Sequence, residues 1–205
     1  MDIVAWFVAG ATTWAISVGV KVVASGVLHA ATDSRLPDGG LGALEGVVSA
    51  VCELGAAALV LALVLSEGSP LTVVAFGLGA GSLEGALLYI AARESGSADQ
   101  GDRPPTPDPE PLTGPRRHTF VVERGAALLG HVGSRGLVWL SVHGPLWPAG
   151  LALLAFAAVD GVAAYGLRRN WDWMAPRIWW RFYTFALGTG LLEVLAFLVL
   201  LTRIR

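Results

Sequence analysis

The sequence predicts an all-α, polytopic transmembrane helix bundle, and three observations lead to this prediction. Of the 205 residues, 54% are hydrophobic and only 15% are charged, whereas soluble domains contain about 25% charged residues. The mean hydropathy is +0.61. The apolar residues form continuous runs of about 20 residues, which is the length of a helix that crosses a bilayer. These runs lack the alternation of period two that a barrel strand needs.

Six apolar segments divide the chain, and we expect each of them to be one membrane span. Their predicted bounds are 4–31, 41–65, 70–92, 120–142, 147–167 and 178–202. The breaks between them are rich in Gly, Pro, Ser and Asp, which are typical of turns. Because no basic region precedes the first segment, we expect it to remain as a span rather than to be cleaved as a signal peptide.

One segment differs from the rest, "ESGSADQGDRPPTPDPEPLTGPRR" at 94–117. It is rich in Pro, Gly, Ser and Asp and has almost nothing to bury, as is typical of a flexible linker. We therefore expect a single integral membrane domain in two halves. Residues 1–92 form one three-helix half, 93–118 the flexible linker, and 119–205 the other three-helix half.

The basic residues predict the orientation in a cell membrane, because cytoplasmic loops carry an excess of Lys and Arg. With six spans, the first, third and fifth loops share a side, and they contain Arg35, Arg93, Arg103, Arg116, Arg117, Arg168, Arg169 and Arg177. The opposite side has only Arg203 and Arg205. Both termini should face outward, and the linker should lie in the cytoplasm. The aromatic residues of "WDWMAPRIWWRFY" (171–183) are expected to form a belt at headgroup level.

Composition also limits the partners and cofactors. The net charge of −2 without a basic block does not indicate a nucleic-acid partner. The single cysteine, Cys52, excludes an intrachain disulfide and a metal site made of several cysteines. No HExxH spacing occurs, so we predict neither a metal site nor a cofactor. The expected partners are the bilayer and a membrane-embedded peptide or partner helix.

Many ionisable residues fall inside the predicted spans. Each charge at the bilayer centre costs about 2.5–3.5 kcal/mol on insertion scales, so these groups should converge inside the bundle rather than face lipid. They are Lys21, Glu45, Glu53, Glu84, Glu123, Arg124, His131, Arg135, Asp160 and Glu193.

The fourth span concentrates these groups on one face. At about 100° per residue, one stripe contains Arg124, Leu128, His131 and Arg135, with Glu123 beside it. The stripe is net basic, so carboxylates of other helices should face it. The candidates are Glu53, Glu84 and Asp160. Either these groups form a network that only ties helices together, or His131 and its partners form a functional site.

Three stretches resemble a known family, the YhfC-like membrane proteins. "FGLGAGSLEGALL" (76–88) is similar to that family's glycine-rich helix with a Glu. "VERGAALLGHVGSRGLVWL" (122–140) is similar to its Glu-Arg…His helix, and "LALLAFAAVDGVAAYGL" (151–167) to its helix ending in His-x-x-x-Asp. The family is regarded as glutamic-type intramembrane proteases, distantly similar to CAAX prenyl endopeptidases.

The resemblance implies an intramembrane peptidase that hydrolyses a membrane-associated peptide. It makes Glu53 the base that activates water and His131 the second catalytic group. The supporting polar shell would be Glu84, Glu123, Arg124, Arg135 and Asp160.

The chain departs from the family pattern at three positions. Cys52 and Ala56 replace a Glu and an Arg around Glu53, and Phe156 replaces a His. These departures leave an inactive, divergent member open. A noncatalytic scaffold or pseudo-protease that binds a partner helix and a small transporter are the alternatives; a transporter would show discontinuous helices or an inverted repeat.

Overall fold

The fold is a bundle of six long helices, seen in a computed structural model that describes residues 2–32, 35–65, 67–98 and 114–203. No strand occurs in these ranges, and the all-α prediction is confirmed. The helices are α1 (Ile3–Thr32), α2 (Asp38–Leu63), α3 (Pro70–Ala98), α4 (Thr119–Val142), α5 (Trp147–Arg168) and α6 (Pro176–Leu201).

The outer surface of the bundle is apolar. Within the described ranges, five helices are long and apolar enough to cross a membrane, namely α1, α2, α3 as far as Ala91, α5 and α6. Large apolar side chains are exposed along them, including Val4, Val23 and Val27 of α1, Leu154 of α5 and Leu192 of α6. Exposed apolar surface on this scale needs a partner, and a bilayer supplies it. The chain is a multi-pass membrane protein.

The remaining helix, α4, does not have the composition of a membrane span, although the sequence predicts a span there. It contains Glu123, Arg124, His131 and Arg135. Its 24 residues extend over about 36 Å, longer than the hydrocarbon core of about 30 Å. It packs against α2, α3, α5 and α6, and every residue from Gly133 to Ser141 is buried. α4 is therefore the inner helix of the bundle, and its neighbours shield it from lipid.

The two predicted halves interleave rather than fold side by side. α2 packs on α5 and α3 packs on α4, so the contacts between the halves are more extensive than those within either half alone. Glycines allow the close approach: a Cβ on Gly46 of α2 would lie 2.2 Å from the backbone oxygen of Ala157 in α5. Small residues in membrane helices permit such backbone contacts.

The apolar core lies at the end of the bundle away from the linker. It joins the C-terminal ends of α2, α4 and α6 to the beginning of α3, and its buried members include Leu61, Val73, Phe76, Leu137, Leu140 and Phe197. The buried charges occupy the remaining part of the interior.

Two sequence expectations need correction. The described ends of the predicted linker are helical, because α3 continues to Ala98 and a 3-10 helix covers Gly114–His118; residues 99–113 lie outside the described ranges. The aromatic belt is also only partly exposed. Trp180 is exposed, but Trp179 and Tyr183 are buried, and the Trp179 indole nitrogen donates a 2.7 Å hydrogen bond to Thr119 Oγ1. The belt residues thus also dock α6 on α4.

Candidate functional site

Glu53 lies at the centre of a buried ion network between α1, α2 and α4. Arg135 Nη2 donates to Glu53 Oε2 at 3.2 Å, and Lys21 Nζ donates to Glu53 Oε1 at 3.0 Å. The side chains of Glu53 and Arg135 are only 3% and 2% exposed. Arg135 Nη1 also donates to Ser134 Oγ at 3.0 Å, and its guanidinium lies 5.4 Å from the centre of the Phe156 ring. Both carboxylate oxygens of Glu53 are therefore occupied.

Lys21 extends this network to α5. Its Nζ donates to Ser49 Oγ at 2.9 Å and lies 3.8 Å from Asp160 Oδ2. The Ser49 hydroxyl donates in turn to Asp160 Oδ2. Asp160 thus faces Lys21 rather than the basic stripe of α4, to which the sequence assigned it as a candidate partner.

Glu84 and His131 form a second polar group between α3 and α4. Glu84 Oε2 and His131 Nε2 are 2.5 Å apart. Arg124 Nη1 lies 3.5 Å from Glu84 Oε1, and Arg124 Nη2 donates to Glu123 Oε1 at 2.6 Å. The arginine therefore holds both carboxylates near the beginning of α4.

Glycines of α3 make room for this group. A Cβ on Gly81 would lie 2.9 Å from His131 Cδ2, and one on Gly85 would lie 3.2 Å from Arg124 Cδ. The bare face of α3 thus lets the His131 and Arg124 side chains lie against the helix backbone and reach Glu84 on that same helix. This explains why the pattern "GLGAGSLEG" places a carboxylate beside glycines at helical spacing.

A cavity of about 230 Å³ opens between α3, α4, α5 and α6. Five of the seven predicted site residues line it, namely Glu84, Glu123, Arg124, His131 and Asp160. Glu53 and Arg135 are not among the described residues that form its wall. The rest of the wall is mostly small and apolar, including Ala126, Ala127, Gly130, Ala186 and Gly190.

The cavity wall also includes Glu193 of α6, which the sequence marks as an intramembrane charge without a role. Its residue is 5% exposed, and its Oε1 has no hydrogen-bond partner in the described part of the chain. Glu193 packs against the glycine face of α4, where a Cβ on Gly133 would lie 2.5 Å from Glu193 Cβ. The sequence feature that could have pointed to Glu193 is that it is the one acidic residue within a largely apolar helix. Helical periodicity within α4 indicates only which residues share a face of that helix, so it does not identify Glu193 of α6.

Glu45 does not belong to the interior site. It lies where α1, α2 and α5 meet near the basic loops, and its Oε1 accepts from Arg168 Nη2 at 2.5 Å and lies 2.5 Å from His29 Nε2. This contact ties the three helices together at one end of the bundle.

The arrangement provides one solvent-accessible carboxylate with a histidine partner. The Glu84 side chain is 24% exposed, whereas the His131 side chain is 3% exposed. No group of three or more His, Cys, Asp or Glu residues that could hold a metal ion occurs among residues 2–32, 35–65, 67–98 and 114–203. The chemistry that these side chains offer is proton transfer and hydrogen bonding.

The fold and this interior define the class of protein: a multi-pass helical membrane protein with a polar site inside the bundle. No family model matches the chain, and neither a curated protein nor a solved structure matches it. The likeness to the YhfC-like membrane proteins therefore rests on the short motifs alone.

Proposed function

We propose that the protein is an intramembrane glutamic-type peptidase that hydrolyses a membrane-associated peptide in the cavity between α3, α4, α5 and α6. The observation that carries the proposal is the Glu84–His131 pair, with 2.5 Å between Oε2 and Nε2, on the wall of that cavity. Ionisable residues within a membrane are costly and mark functional sites by default, and the motif resemblance supports the same activity.

Glu84 suits the role of general base better than Glu53. A general base must be within hydrogen-bond reach of the water that it activates. Glu84 lines the cavity and its side chain is 24% exposed, whereas Glu53 is outside the cavity wall and its side chain is 3% exposed. The role that the resemblance assigned to Glu53 is therefore transferred to Glu84, and His131 keeps its own.

The proposed reaction is the hydrolysis of an amide bond. Glu84 takes a proton from a water molecule, whose oxygen attacks the carbonyl carbon of the peptide. His131 stabilises the negative charge that develops on the carbonyl oxygen, either through a ring N–H or through the positive charge of its protonated ring, and Arg124 is nearby. The proton on Glu84 then passes to the leaving nitrogen as the C–N bond breaks. The products are a carboxylic acid and an amine.

The cavity indicates the kind of substrate. Its small, apolar wall fits an extended peptide segment with small side chains. The cavity also includes Glu123 and Arg124 at the linker end of α4. If the termini face outward and the linker lies in the cytoplasm, the peptide enters from the cytoplasmic half of the bilayer.

The test compares cells that produce the wild-type protein with cells that produce Glu84→Gln or His131→Ala, by mass spectrometry of labelled peptide N-termini in the membrane fraction. We expect new N-termini with the wild type and a loss of about a hundredfold to ten-thousandfold with either variant. Glu67→Gln is the matched control, because Glu67 is exposed in the loop between α2 and α3. Equal cleavage by wild type and Glu84→Gln would rule the proposal out.

A noncatalytic scaffold is the second candidate, because the Glu53 network is saturated by its own partners. Such a scaffold would bind a partner helix in the cavity without cleaving it, and Glu84→Gln would leave photocrosslinking from a cavity position unchanged. A small transporter has less support. Its substrate site is typically built on interrupted helices, and none of the six described helices is interrupted.

A further inference from the structure

A second concave site lies on the outer surface of the bundle, between α5 and α6. It encloses about 500 Å³. Its polar part, at the end of the bundle near the basic loops, is lined by Arg177 and Arg181 of α6 and by Trp171 of the preceding loop. Apolar side chains line the remainder, among them Val162 of α5 and Ile178 and Phe185 of α6. It shares only Phe182 with the wall of the catalytic cavity.

We propose that this groove binds an anionic phospholipid, with the headgroup phosphate between Arg177 and Arg181 and an acyl chain along α5 and α6. The inference does not depend on the proposed peptidase activity.

The two arginines form a ready site for an anion. They are four residues apart and therefore project from the same face of α6. Both are exposed, and neither has a hydrogen-bond or ion-pair partner among the residues that the structure describes. Neighbouring basic residues differ: Arg168 pairs with Glu45 and Arg169 with Asp38. Guanidinium groups form bidentate hydrogen bonds with phosphate oxygens, so a phosphodiester can serve as the hydrogen-bond partner of both arginines.

The apolar wall fits the other end of the same ligand. Phe185 lies eight residues beyond Arg177 on the same helix, which places it about 12 Å deeper along the helix axis. Ile178 lies between these levels on α6, and Val162 of α5 lines the same groove. A ligand with one charged end and a long apolar chain, the shape of a phospholipid, matches this sequence of charged and apolar surfaces. A free phosphate ion would occupy only the arginine-lined part of the groove.

The position agrees with the distribution of lipids. The groove begins at the N-terminal end of α6, on the side of the basic loops that the positive-inside rule places in the cytoplasm. The cytoplasmic leaflet is the one that carries anionic lipids, and basic pockets between membrane helices on that side bind their headgroups. The charge of the groove thus complements the lipids that surround it.

Native mass spectrometry of the full chain in detergent tests the proposal, with phosphatidylglycerol, phosphatidylcholine and inorganic phosphate as the three probes. We expect the wild type to retain one phosphatidylglycerol, and Arg177→Gln/Arg181→Gln to bind it about tenfold more weakly or worse. Arg203→Gln is the control, since it removes an arginine beyond the opposite end of α6; we expect it to bind as the wild type does.

Three results would overturn the proposal. The first is equal retention of phosphatidylcholine and phosphatidylglycerol by the wild type, which would mean that the arginines do not select the headgroup. The second is displacement of the bound phosphatidylglycerol by millimolar inorganic phosphate, which would indicate a site for a free anion. The third is unchanged binding in the double Gln variant. Arg177→Lys/Arg181→Lys and gel filtration show whether a loss of binding reflects charge rather than unfolding.

Discussion

At the scale of single residues, two carboxylates in the same bundle have opposite environments. Glu53 is enclosed by Arg135 and Lys21 and is 3% exposed, whereas Glu84, which contacts His131 and Arg124, is 24% exposed on a cavity wall. An enclosed carboxylate stabilises its surroundings, and one that is partly exposed can exchange protons with water. Under the proposed function, Glu53 therefore belongs to the framework and Glu84 to the reacting site.

This difference predicts the effect of removing Glu53. In Glu53→Ala the buried guanidinium of Arg135 loses its carboxylate, and we expect the free energy of unfolding to fall by about 3–5 kcal/mol. Reversible unfolding in a detergent series measures it, with Glu67→Ala as the exposed control. We also expect the fraction that stays folded to retain its cleavage activity. A stable but inactive Glu53→Ala protein would instead place Glu53 among the reacting groups.

Part of the buried charge arrangement could be predicted from the sequence. Helical spacing put Arg124, His131 and Arg135 on one face, and the structure brings Glu84 and Glu53 to that face. Periodicity within one helix cannot tell which carboxylate meets which base. That depends on the register between helices, which is set by contacts such as those of Gly81 and Gly46. For the same reason, the sequence could not show that Asp160 meets Lys21 or that Glu193 lies on the cavity wall.

At the scale of helices, glycines decide how closely α2 and α5 approach. The ideal Cβ position on Gly46 falls 2.2 Å from the Ala157 oxygen and 2.6 Å from the Gly161 nitrogen, both of which are backbone atoms that cannot move aside. Gly55 lies two and a half turns further along α2 and has no neighbour within 4 Å of such a position. The two glycines therefore differ in what a methyl group would meet.

Gly46→Ala should lower the free energy of unfolding by about 1–3 kcal/mol, because the added carbon forces α2 and α5 apart. Gly55→Ala is the matched control on the same helix, and we expect it to be neutral or stabilising by up to about 1 kcal/mol, since alanine favours helix more than glycine does. The measurement is the same detergent unfolding series. Equal effects of the two substitutions would contradict the close contact.

Helix bounds were the most predictable feature. The six predicted spans and the six helices agree to within a few residues, because long apolar runs bounded by turn residues leave few alternatives. The exception is α3, which continues through "RESGSA" to Ala98. That stretch is polar and contains glycine and serine, so its composition favoured the linker.

At the scale of the whole molecule, the basic loops predict a sidedness that labelling can check. In a Cys52→Ser background, Asp2→Cys and Arg203→Cys place a single thiol near each terminus, and Asp172→Cys places one in the loop before α6. A membrane-impermeant maleimide should label the two terminal positions in intact cells and the loop position only after permeabilisation, because the positive-inside rule puts the loop in the cytoplasm. The reverse pattern would invert the proposed orientation.

The inner position of α4 has a consequence for how the protein is made. A helix with Glu123, Arg124, His131 and Arg135 would not leave the translocon for lipid alone, because each charge adds about 2.5–3.5 kcal/mol near the bilayer centre. Its counter-charges, Glu53 and Glu84, are on helices that are synthesised earlier. We therefore expect α4 to pack against α2 and α3 as it emerges. Insertion of this bundle would then depend on the order in which its helices are synthesised as well as on their hydropathy.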